Sequence, residues 1–480
     1  MSAGRDRGTL AILLHTHMPY VEGFGTWPFG EEWLWEAMAG SYLPLLEVLD
    51  SGAPVTLSLT PVLCDQLAAP GIAERFTAFI EDVRAHTHAQ DAKAFQAAGE
   101  RELAREIERS HGDYTWALER FAERCASGPH GNLLDSFAPH VQWTSTATHA
   151  VLPLLATDAG VRLQLQSGVG AHRERFGAGW RGGFWLPECG YAPWLGPALW
   201  DAGARSACVE LTSRFGLGAS EHLRPLQSES GLLLVPIDRA TMSLVWSDRG
   251  YPAAGGYRDY HRHSTHQHNP WSNDGRPYDH DRALALARED AADFVARTRA
   301  RLRDSGSSLP GGGLAVCALD TELLGHWWYE GVSWLDGVIE ECDRQGLQLA
   351  RLDDALERHE PAPAQGELEW EPSSWGEAGG LSTWSAPAVA DMAFAVRAAE
   401  LAVLAAGGRA GTAAVRELLA LQASDWTFMV ARGLAVPYAR ERFAGHNEAL
   451  LGALSASEGG TVAGLGNLAV HAETAALLEP

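Results

Sequence analysis

Short apolar segments alternate with longer helical patterns along most of the 480-residue chain, and this alternation limits the folds that the chain can adopt. Amphipathic stretches such as 31–52 and 283–304 lie between several of these segments. Strands that alternate with helices are typical of an α/β fold with a parallel sheet, and a barrel and a doubly wound sheet both fit the pattern. The clearest apolar segments, each bounded by turn residues, are LAILLH (10–15), VTLSL (55–59), GGFWLPE (182–188), SACVEL (206–211), LLLVPI (232–237) and GLAVCAL (313–319).

Two parts of the chain depart from the alternation. One stretch is charged, alanine-rich and helix-periodic without a strand inside it, and it predicts a helical insertion at about 72–130. PAPAQGE at 361–367 has the composition of a linker, and three helical patterns follow it. We therefore predict an α/β domain over residues 1–360 that carries the insertion, and a C-terminal helical domain over 361–480.

Charge and cysteine usage argue against several classes of protein. The chain has 37 basic and 61 acidic residues and a net charge of −24, so its surface repels a phosphate backbone and we expect no nucleic-acid partner. The six cysteines contain no CxxC pair, which argues against a zinc knuckle or a disulfide framework. LAILL is followed at once by HTHMPY, which is too short and too polar for a signal segment or a membrane span. We therefore expect a cytoplasmic protein that does not bind membranes.

A histidine pair ends the first predicted strand. His15 and His17 are two residues apart, so on a strand their side chains point to the same side, where both could face the mouth of a barrel. Such a pair can bind a metal ion or donate hydrogen bonds to a substrate. Packed histidines at a strand end give the same pattern, so the three interpretations stay open at this point.

One carboxylate, Glu188, lies among aromatic and aliphatic residues in GGFWLPECGYAPWL (182–195). An ionised carboxylate in apolar surroundings is strongly destabilised unless it is paired, hydrogen-bonded or used in chemistry. If the predicted strand ends in a cleft, Glu188 is a candidate nucleophile or base, and Trp185 is a stacking surface. A buried acid paired with an arginine is the structural alternative.

A second predicted strand also ends in a carboxylate. In LAVCALDTELLGHWWYEG (314–331), Asp320 ends the apolar run and Glu322, Trp327 and Trp328 follow it. Two carboxylates at the ends of two parallel strands, each beside aromatic residues, match the requirement of glycoside hydrolysis for a proton donor and a nucleophile or base. The repeated layout makes this interpretation stronger than either segment alone.

The chain holds 18 tryptophans, and several lie outside the predicted core. Trp375 and Trp384 fall in the glycine-rich loop WGEAGGLSTW, where a large aromatic side chain commonly binds a ligand. Aromatic faces suit the apolar faces of sugar rings. The tryptophans that we predict to bind a substrate are Trp185, Trp246, Trp327, Trp375, Trp384 and Trp426.

Several ordered motifs together resemble those of glycoside hydrolase family 57, and specifically its α-1,4-glucan branching enzyme group. They are LHTHMPYV, WTSTATHAVLPLL (143–155), GFWLPECGY, ALDTELLGHWWYEG, SSWGEAGGLSTW and ASDWTFMV (423–430). The resemblance implies an incomplete (β/α)7 barrel with a helical insertion and a C-terminal helical domain. It also implies a retaining mechanism on an α-1,4-glucan, with no cofactor and no metal ion.

The same resemblance implies roles for individual residues. Glu188 would be the nucleophile, and Asp320 would be the general acid/base. His15, His17 and His149 would hold the sugar at the cleaved bond. The residues expected to line the cleft from the C-terminal side are Trp375, Trp384, Asp425 and Trp426.

One departure from the family pattern leaves the product open. Branching enzymes of this group resemble one another in a long loop after the nucleophile strand, with a tip tyrosine that supports transfer over hydrolysis. Residues 209–246 here contain no tyrosine, and the histidine-rich segment 257–280 is a candidate for part of that cover. The alternatives to a branching enzyme are an amylase-like hydrolase or a 4-α-glucanotransferase, a non-catalytic glucan-binding protein, and a metal-dependent deacetylase or amidohydrolase. The oligomeric state is not predicted.

Overall fold

Ten strands form two sheets in the computed structural model, which describes residues 8–25, 30–177, 179–407, 410–455, 465–472 and 474. The strands are β1 (Thr9–Thr16), β2 (Thr56–Leu59), β3 (Val141–Trp143), β4 (Gly183–Phe184), β5 (Ser206–Val209), β6 (Leu226–Gln227), β7 (Leu233–Pro236), β8 (Leu314–Asp320), β9 (Gln348–Leu349) and β10 (Ala362–Pro363). The first sheet has the order β3-β2-β1-β8, with β9 also paired to β1, and the second has the order β10-β6-β7-β5-β4. Every residue of β1 is buried, as expected for a parallel strand covered on both faces.

Helices connect the strands and fill the C-terminal region. They are α1 (Glu32–Ala37), α2 (Leu43–Asp50), α3 (Pro61–Leu67), α4 (Ile72–Ala78), α5 (Ala85–Ala97), α6 (Arg101–Ser127), α7 (Leu134–Phe137), α8 (Asp158–Phe176), α9 (Leu195–Ala202), α10 (Thr212–Phe215), α11 (Arg239–Met242), α12 (His280–Arg301), α13 (Gly331–Gln345), α14 (Leu352–Leu356), α15 (Ser382–Ser385), α16 (Ala390–Ala406), α17 (Thr412–Leu421), α18 (Ser424–Arg432) and α19 (Val436–Ser455). No helix in the described ranges is both long enough and apolar enough to span a bilayer.

The two sheets together make a ring of parallel strands that is not fully closed. An isolated parallel bridge between Thr144 and Phe184 joins the first sheet to β4. On the other side, the amide of Asp238, just past β7, donates to the carbonyl of Val316 in β8 (2.9 Å). The strands β8, β1, β2, β3, β4, β5 and β7 thus follow one another around the ring, with breaks in the ladder at both joints. This confirms the predicted α/β class and the incomplete (β/α)7 barrel.

Helices α4, α5 and α6 occupy the chain between α3 and β3, where the sequence predicts an insertion. A π-helical segment, Phe79–Arg84, connects α4 to α5, and α5 packs along α6. Phe76 and Phe121 meet edge to face and join the main core of the barrel. The insertion is therefore packed onto the barrel through a shared apolar core.

The C-terminal helices α16 to α19 enclose a second apolar core. Backbone contacts help to fix this part to the barrel: Ala150 pairs with Ala423 in an isolated bridge, and the amide of Ser424 donates to the carbonyl of His149 (3.0 Å). Helix α18 therefore begins directly against the loop that follows β3. The exact boundary between the two domains stays a prediction.

Candidate active site

The carboxyl ends of the parallel strands collect the polar residues singled out in the sequence. In the strand register, His15 of β1 is level with Asp320 of β8 on one side and with Ser58 of β2 on the other. Glu188 follows β4, and His149 follows β3. These side chains meet at one edge of the ring, where parallel α/β folds place their binding sites.

The backbone is strained at the residues that carry this chemistry. His149, Glu188 and Cys189 have φ values of 63°, 62° and 50°, in the left-handed region that non-glycine residues seldom adopt. Neighbouring backbone holds two of them, because the carbonyl of His149 accepts from Ser424 and that of Glu188 accepts from Trp375 (3.0 Å each). Such strain persists only where the surrounding structure fixes it, and it concentrates at functional sites.

Two donors hold the carboxylate of Glu188. The indole N–H of Trp375 donates to Oε2 (2.8 Å), and the hydroxyl of Ser424 donates to Oε1 (2.9 Å). Burial raises the pKa of Glu188 to about 6, and these two hydrogen bonds limit the rise because they stabilise the charged form. The environment thus keeps a buried carboxylate ionised near neutral pH.

The Ser424 hydroxyl is also the first link of a buried hydrogen-bond chain. Its oxygen lies 2.8 Å from Nδ1 of His149, whose Nε2 lies 2.9 Å from Nε2 of His15, whose Nδ1 lies 3.4 Å from the hydroxyl of Ser58. With Glu188 ionised, Ser424 must donate to it, so the Nδ1–H of His149 donates to Ser424 and the Nε2–H of His15 donates to His149. Burial lowers the pKa of both histidines well below the ordinary value, so both are neutral, as this chain requires.

His17 differs from His15 and His149 in the charge state that its surroundings favour. Its Nε2 donates to Oδ1 of Asp425 (3.0 Å), and its ring stacks on His149 with centroids 3.8 Å apart. Burial lowers the pKa of His17, but Asp425, with help from Glu322 and Glu188, raises it more, and the net pKa lies above the ordinary value. The site therefore favours the cationic form of His17 beside two histidines whose neutral forms are favoured.

Asp320 ends β8, level with His15 on the neighbouring strand. Burial raises the pKa of Asp320 well above its usual range, and the carboxylates of Glu322 and Glu188 add to the rise. Glu322 accepts from the amide of His17 (3.2 Å) and from the hydroxyl of Tyr42, and burial raises its pKa to about 7. Burial and neighbouring carboxylates thus favour the protonated form of Asp320, whereas two donors stabilise the charged form of Glu188.

Ser424, Ser58, Glu322 and Tyr42 were not predicted as site residues. Glu322 stands two residues after Asp320, and Ser424 precedes Asp425 in the motif ASDWTFMV. Their closeness in sequence to predicted site residues is the signal that could have found them. Tyr42 lies in a π-helical segment far from any motif, and nothing in the sequence indicates its contact with Glu322.

The predicted tryptophans fall into two groups. The first group is at least partly exposed and comprises Trp246 (43% exposed), Trp327 (50% exposed) and Trp375. The ring centroid of Trp375 lies 5.7 Å from that of Trp246 and 5.1 Å from that of buried Trp185. The other group is fully or almost fully buried, and the predicted direct contact with substrate does not fit that burial. Its members are Trp185, which stacks on His15, Trp384, which packs against Gly376, and Trp426, whose N–H donates to the carbonyl of Ala420.

The histidine-rich segment 257–280 is fixed to the helical insertion. Buried Asp91 of α5 pairs with His266 (2.7 Å) and accepts from the Ser264 hydroxyl. Within the segment, Tyr260 stacks on Trp327 with centroids 5.8 Å apart and planes 10° apart. The segment thus presents a tyrosine beside the loop that follows Asp320.

One group of side chains in the described part of the chain has the spacing of a metal site. The ligand atoms of His17, His149 and Asp425 lie within 4.8 Å of one another. Both ring nitrogens of His149 already lie within hydrogen-bond distance of His15 and Ser424, and His17 is paired with Asp425. A metal ion would have to displace these bonds, so the geometry favours a hydrogen-bonded site.

Comparison with known proteins places the chain in a family. Residues 143–364 match the model for glycosyl hydrolase family 57, and residues 387–466 match the model for the C-terminal part of 1,4-alpha-glucan branching enzymes. A probable 1,4-alpha-glucan branching enzyme of Mycobacterium tuberculosis is 31% identical, with 95% of this chain and 94% of that protein covered. A 1,4-alpha-glucan branching enzyme of Thermococcus kodakarensis is 29% identical, over 92% of this chain and 72% of that protein.

Solved structures agree with this placement. The branching enzyme of Pyrococcus horikoshii matches with a TM-score of 0.84 at 30% identity, covering 92% of this chain and 89% of that one. The alpha-amylase AmyC of Thermotoga maritima matches with a TM-score of 0.76 at 24% identity, covering 93% of each chain, which shows a shared fold. The open ring with acids at its carboxyl edge belongs to the class of barrel-type carbohydrate enzymes. Within that class, the chain is a member of glycoside hydrolase family 57.

Proposed function

We propose that the protein is a retaining 1,4-α-glucan branching enzyme, which cleaves α-1,4 linkages and forms α-1,6 linkages. The observation that carries the proposal is the contrast between two buried acids at one edge of the ring. Two donors stabilise the charged form of Glu188, whereas the side-chain carboxyl of Asp320 has no hydrogen-bond partner among the described residues and a pKa raised well above its usual range. Acids whose environments separate their pKa values can act as nucleophile and proton donor at the same pH.

The first half of the reaction uses both acids. Asp320 gives its proton to the glycosidic oxygen as the C1–O bond breaks, and Glu188 attacks C1 to form a glycosyl ester. The released chain leaves with a free 4-hydroxyl. In the second half, the Asp320 carboxylate takes the proton of a glucose 6-hydroxyl, which attacks C1 and releases Glu188. Attack by water in place of that hydroxyl gives hydrolysis.

The groups around the two acids would bind the sugar. Oδ2 of Asp425 is buried and has no partner among the described residues, so it is free to accept a sugar hydroxyl, while Oδ1 stays on His17. His15 and His149 are buried within the hydrogen-bond chain, so we assign them to holding Glu188. Exposed aromatic surface for the glucan comes from Trp246 and Trp327, and half-buried Trp375 packs beside Trp246.

The choice of acceptor separates branching from its alternatives, a hydrolase or a 4-α-glucanotransferase. The relatives named as branching enzymes and the matching C-terminal model support branching. Residues 209–246 lack a tyrosine, so we assign the cover over the ester to another segment, with Tyr260, which stacks on Trp327, as the candidate. A role in glycogen formation and the cytoplasmic location expected from the sequence belong to the same proposal.

The test is incubation of the purified protein with amylose, followed by counts of new α-1,6 linkages and new reducing ends in one sample. We expect α-1,6 linkages, with a larger share of reducing ends than relatives that carry a loop tyrosine would give. Glu188→Gln is the control, and it should abolish both products. Reducing ends without α-1,6 linkages would make the protein an α-glucan hydrolase, and α-1,4 redistribution alone would make it a 4-α-glucanotransferase.

A further inference from the structure

A cavity of about 240 Å³ lies between α8 and α9, outside the cluster around Glu188. Val161, Leu165 and Trp194, which stands at the start of α9, are among the apolar residues that line it. None of the residues that line it takes part in the hydrogen bonds around Glu188 or Asp425. It is thus a separate concavity on the barrel.

Trp194 differs from the other exposed tryptophans of the described residues. Trp246 and Trp327 belong to the cleft, and Trp200 is covered by the guanidinium of Arg205, 3.9 Å from its ring centroid. The indole of Trp194 is 49% exposed, and within the described residues neither a ring nor a cation covers it and its N–H has no acceptor. An open indole face is therefore available inside a formed cavity.

Polar groups suited to hydroxyls surround this face. The amide of Gln166, the carboxylates of Asp158 and Asp201 and the guanidinium of Arg162 line the same cavity. Apolar side chains beside a few convergent polar groups are typical of small-molecule sites, and a cavity of this volume suits one or two sugar rings rather than a protein segment. A glucosyl unit offers an apolar face to an indole and hydroxyls to carboxylates and amides.

We propose that this cavity is a secondary glucan-binding site, which holds a distant part of the polymer while another part occupies the cleft. This inference rests on the proposed α-glucan substrate. The position supports it: α8 leads into β4 and α9 leads out of it, so the first turns of both helices lie near the strand end from which Glu188 follows. A polymer long enough to reach both sites gains effective concentration at the cleft.

The test is Trp194→Ala, with Trp200→Ala on the same helix as the matched control. Migration through a gel that contains glycogen measures polymer binding, in a Glu188→Gln background so that the polymer stays intact. Turnover is measured separately with maltoheptaose and with long amylose, in the otherwise native enzyme. We expect Trp194→Ala to weaken retention about three- to tenfold and to lower kcat/KM on amylose by a similar factor. We expect the kcat/KM of Trp194→Ala on maltoheptaose to be unchanged. Trp200→Ala should match the wild type in retention and in kcat/KM on both substrates, and Trp194→Phe should come close to it.

Unchanged retention of Trp194→Ala, or an equal loss in Trp200→Ala, would refute the site. A parallel loss on maltoheptaose would place Trp194 in the cleft and refute it as well. Absence of turnover of either substrate by the native enzyme would instead refute the proposed function, so the two failures are distinguishable.

Discussion

At the scale of single residues, the site depends on how one carboxylate is held. Ser424 and Trp375 donate to separate oxygens of Glu188, and two neutral histidines orient the serine. Donors of this kind keep the nucleophile ionised and fix its position before the reaction, so that it needs little reorganisation to attack.

Ser424→Ala tests this arrangement. Loss of the donor should raise the pKa of Glu188 from about 6, so the acid limb of the kcat/KM profile should move to higher pH. The limb moves in this direction because Glu188 attacks only when it is ionised, and a higher pKa requires a higher pH for ionisation. We expect kcat to fall about tenfold or more. Thr427→Val, on the same helix and with its hydroxyl donating to the Ser424 carbonyl, is the control. If kcat/KM of Ser424→Ala falls at every pH but its acid limb stays at the wild-type pH, the result would contradict a hydrogen bond from Ser424 to the Glu188 carboxylate.

Residue patterns predicted part of this site. The spacing of His15 and His17 and the acids at two strand ends could be recognised as site features from the sequence, because parallel strands end at the same edge of a sheet. The tryptophans were harder, since an indole has the same sequence context whether it packs into a core, as Trp426 does, or stays open, as Trp246 does. Only tertiary packing decides between these outcomes.

At the scale of elements, the histidine-rich segment 257–280 acts as a fixed connection. Its histidines do not converge with ligand spacing on a metal position within the described residues, and Asp91 ties the segment to α5 instead. Histidine content alone could not predict this, because the partner of the histidines comes from a helix more than 160 positions earlier in the chain.

Asp91→Ala should therefore lower the free energy of unfolding by about 2–3 kcal/mol, because it leaves His266 and Ser264 without their buried acceptor. Denaturant titration provides the measurement. Exposed Asp82, in the same insertion, gives a control variant, Asp82→Ala, expected within about 0.5 kcal/mol of wild type. Equal stabilities of the two variants would show that the Asp91 contacts do not hold the segment.

At the scale of the whole molecule, the strand pattern predicted the α/β class, and family motifs supplied the barrel. The sequence did not show how the C-terminal helices reach the site. That contact depends on the bridge between Ala150 and Ala423 and on α18 starting beside His149, which are long-range pairings with no local signature.

Metal dependence is a property of the assembled site. Because His17, His149 and Asp425 are already engaged with one another or with neighbours, we expect prolonged dialysis against a chelator to leave turnover of amylose unchanged. Metal analysis of the purified protein accompanies the assay. Stoichiometric zinc whose removal abolishes turnover, and whose return restores it, would favour the metal-dependent alternative.

In the proposed mechanism, Glu188 forms a covalent bond to the sugar, and Asp320 donates a proton in the first half-reaction and accepts one in the second. The most direct measurement is peptide mass spectrometry of Asp320→Asn after reaction with an α-maltosyl fluoride, whose leaving group needs no protonation. Without the Asp320 carboxylate as base, deglycosylation should slow, so the ester should accumulate. We predict a maltosyl adduct on Glu188 that is absent in the Asp320→Asn, Glu188→Gln double variant. An adduct on Glu322 or another residue, or fluoride release with no adduct from a variant still able to turn over, would contradict the account.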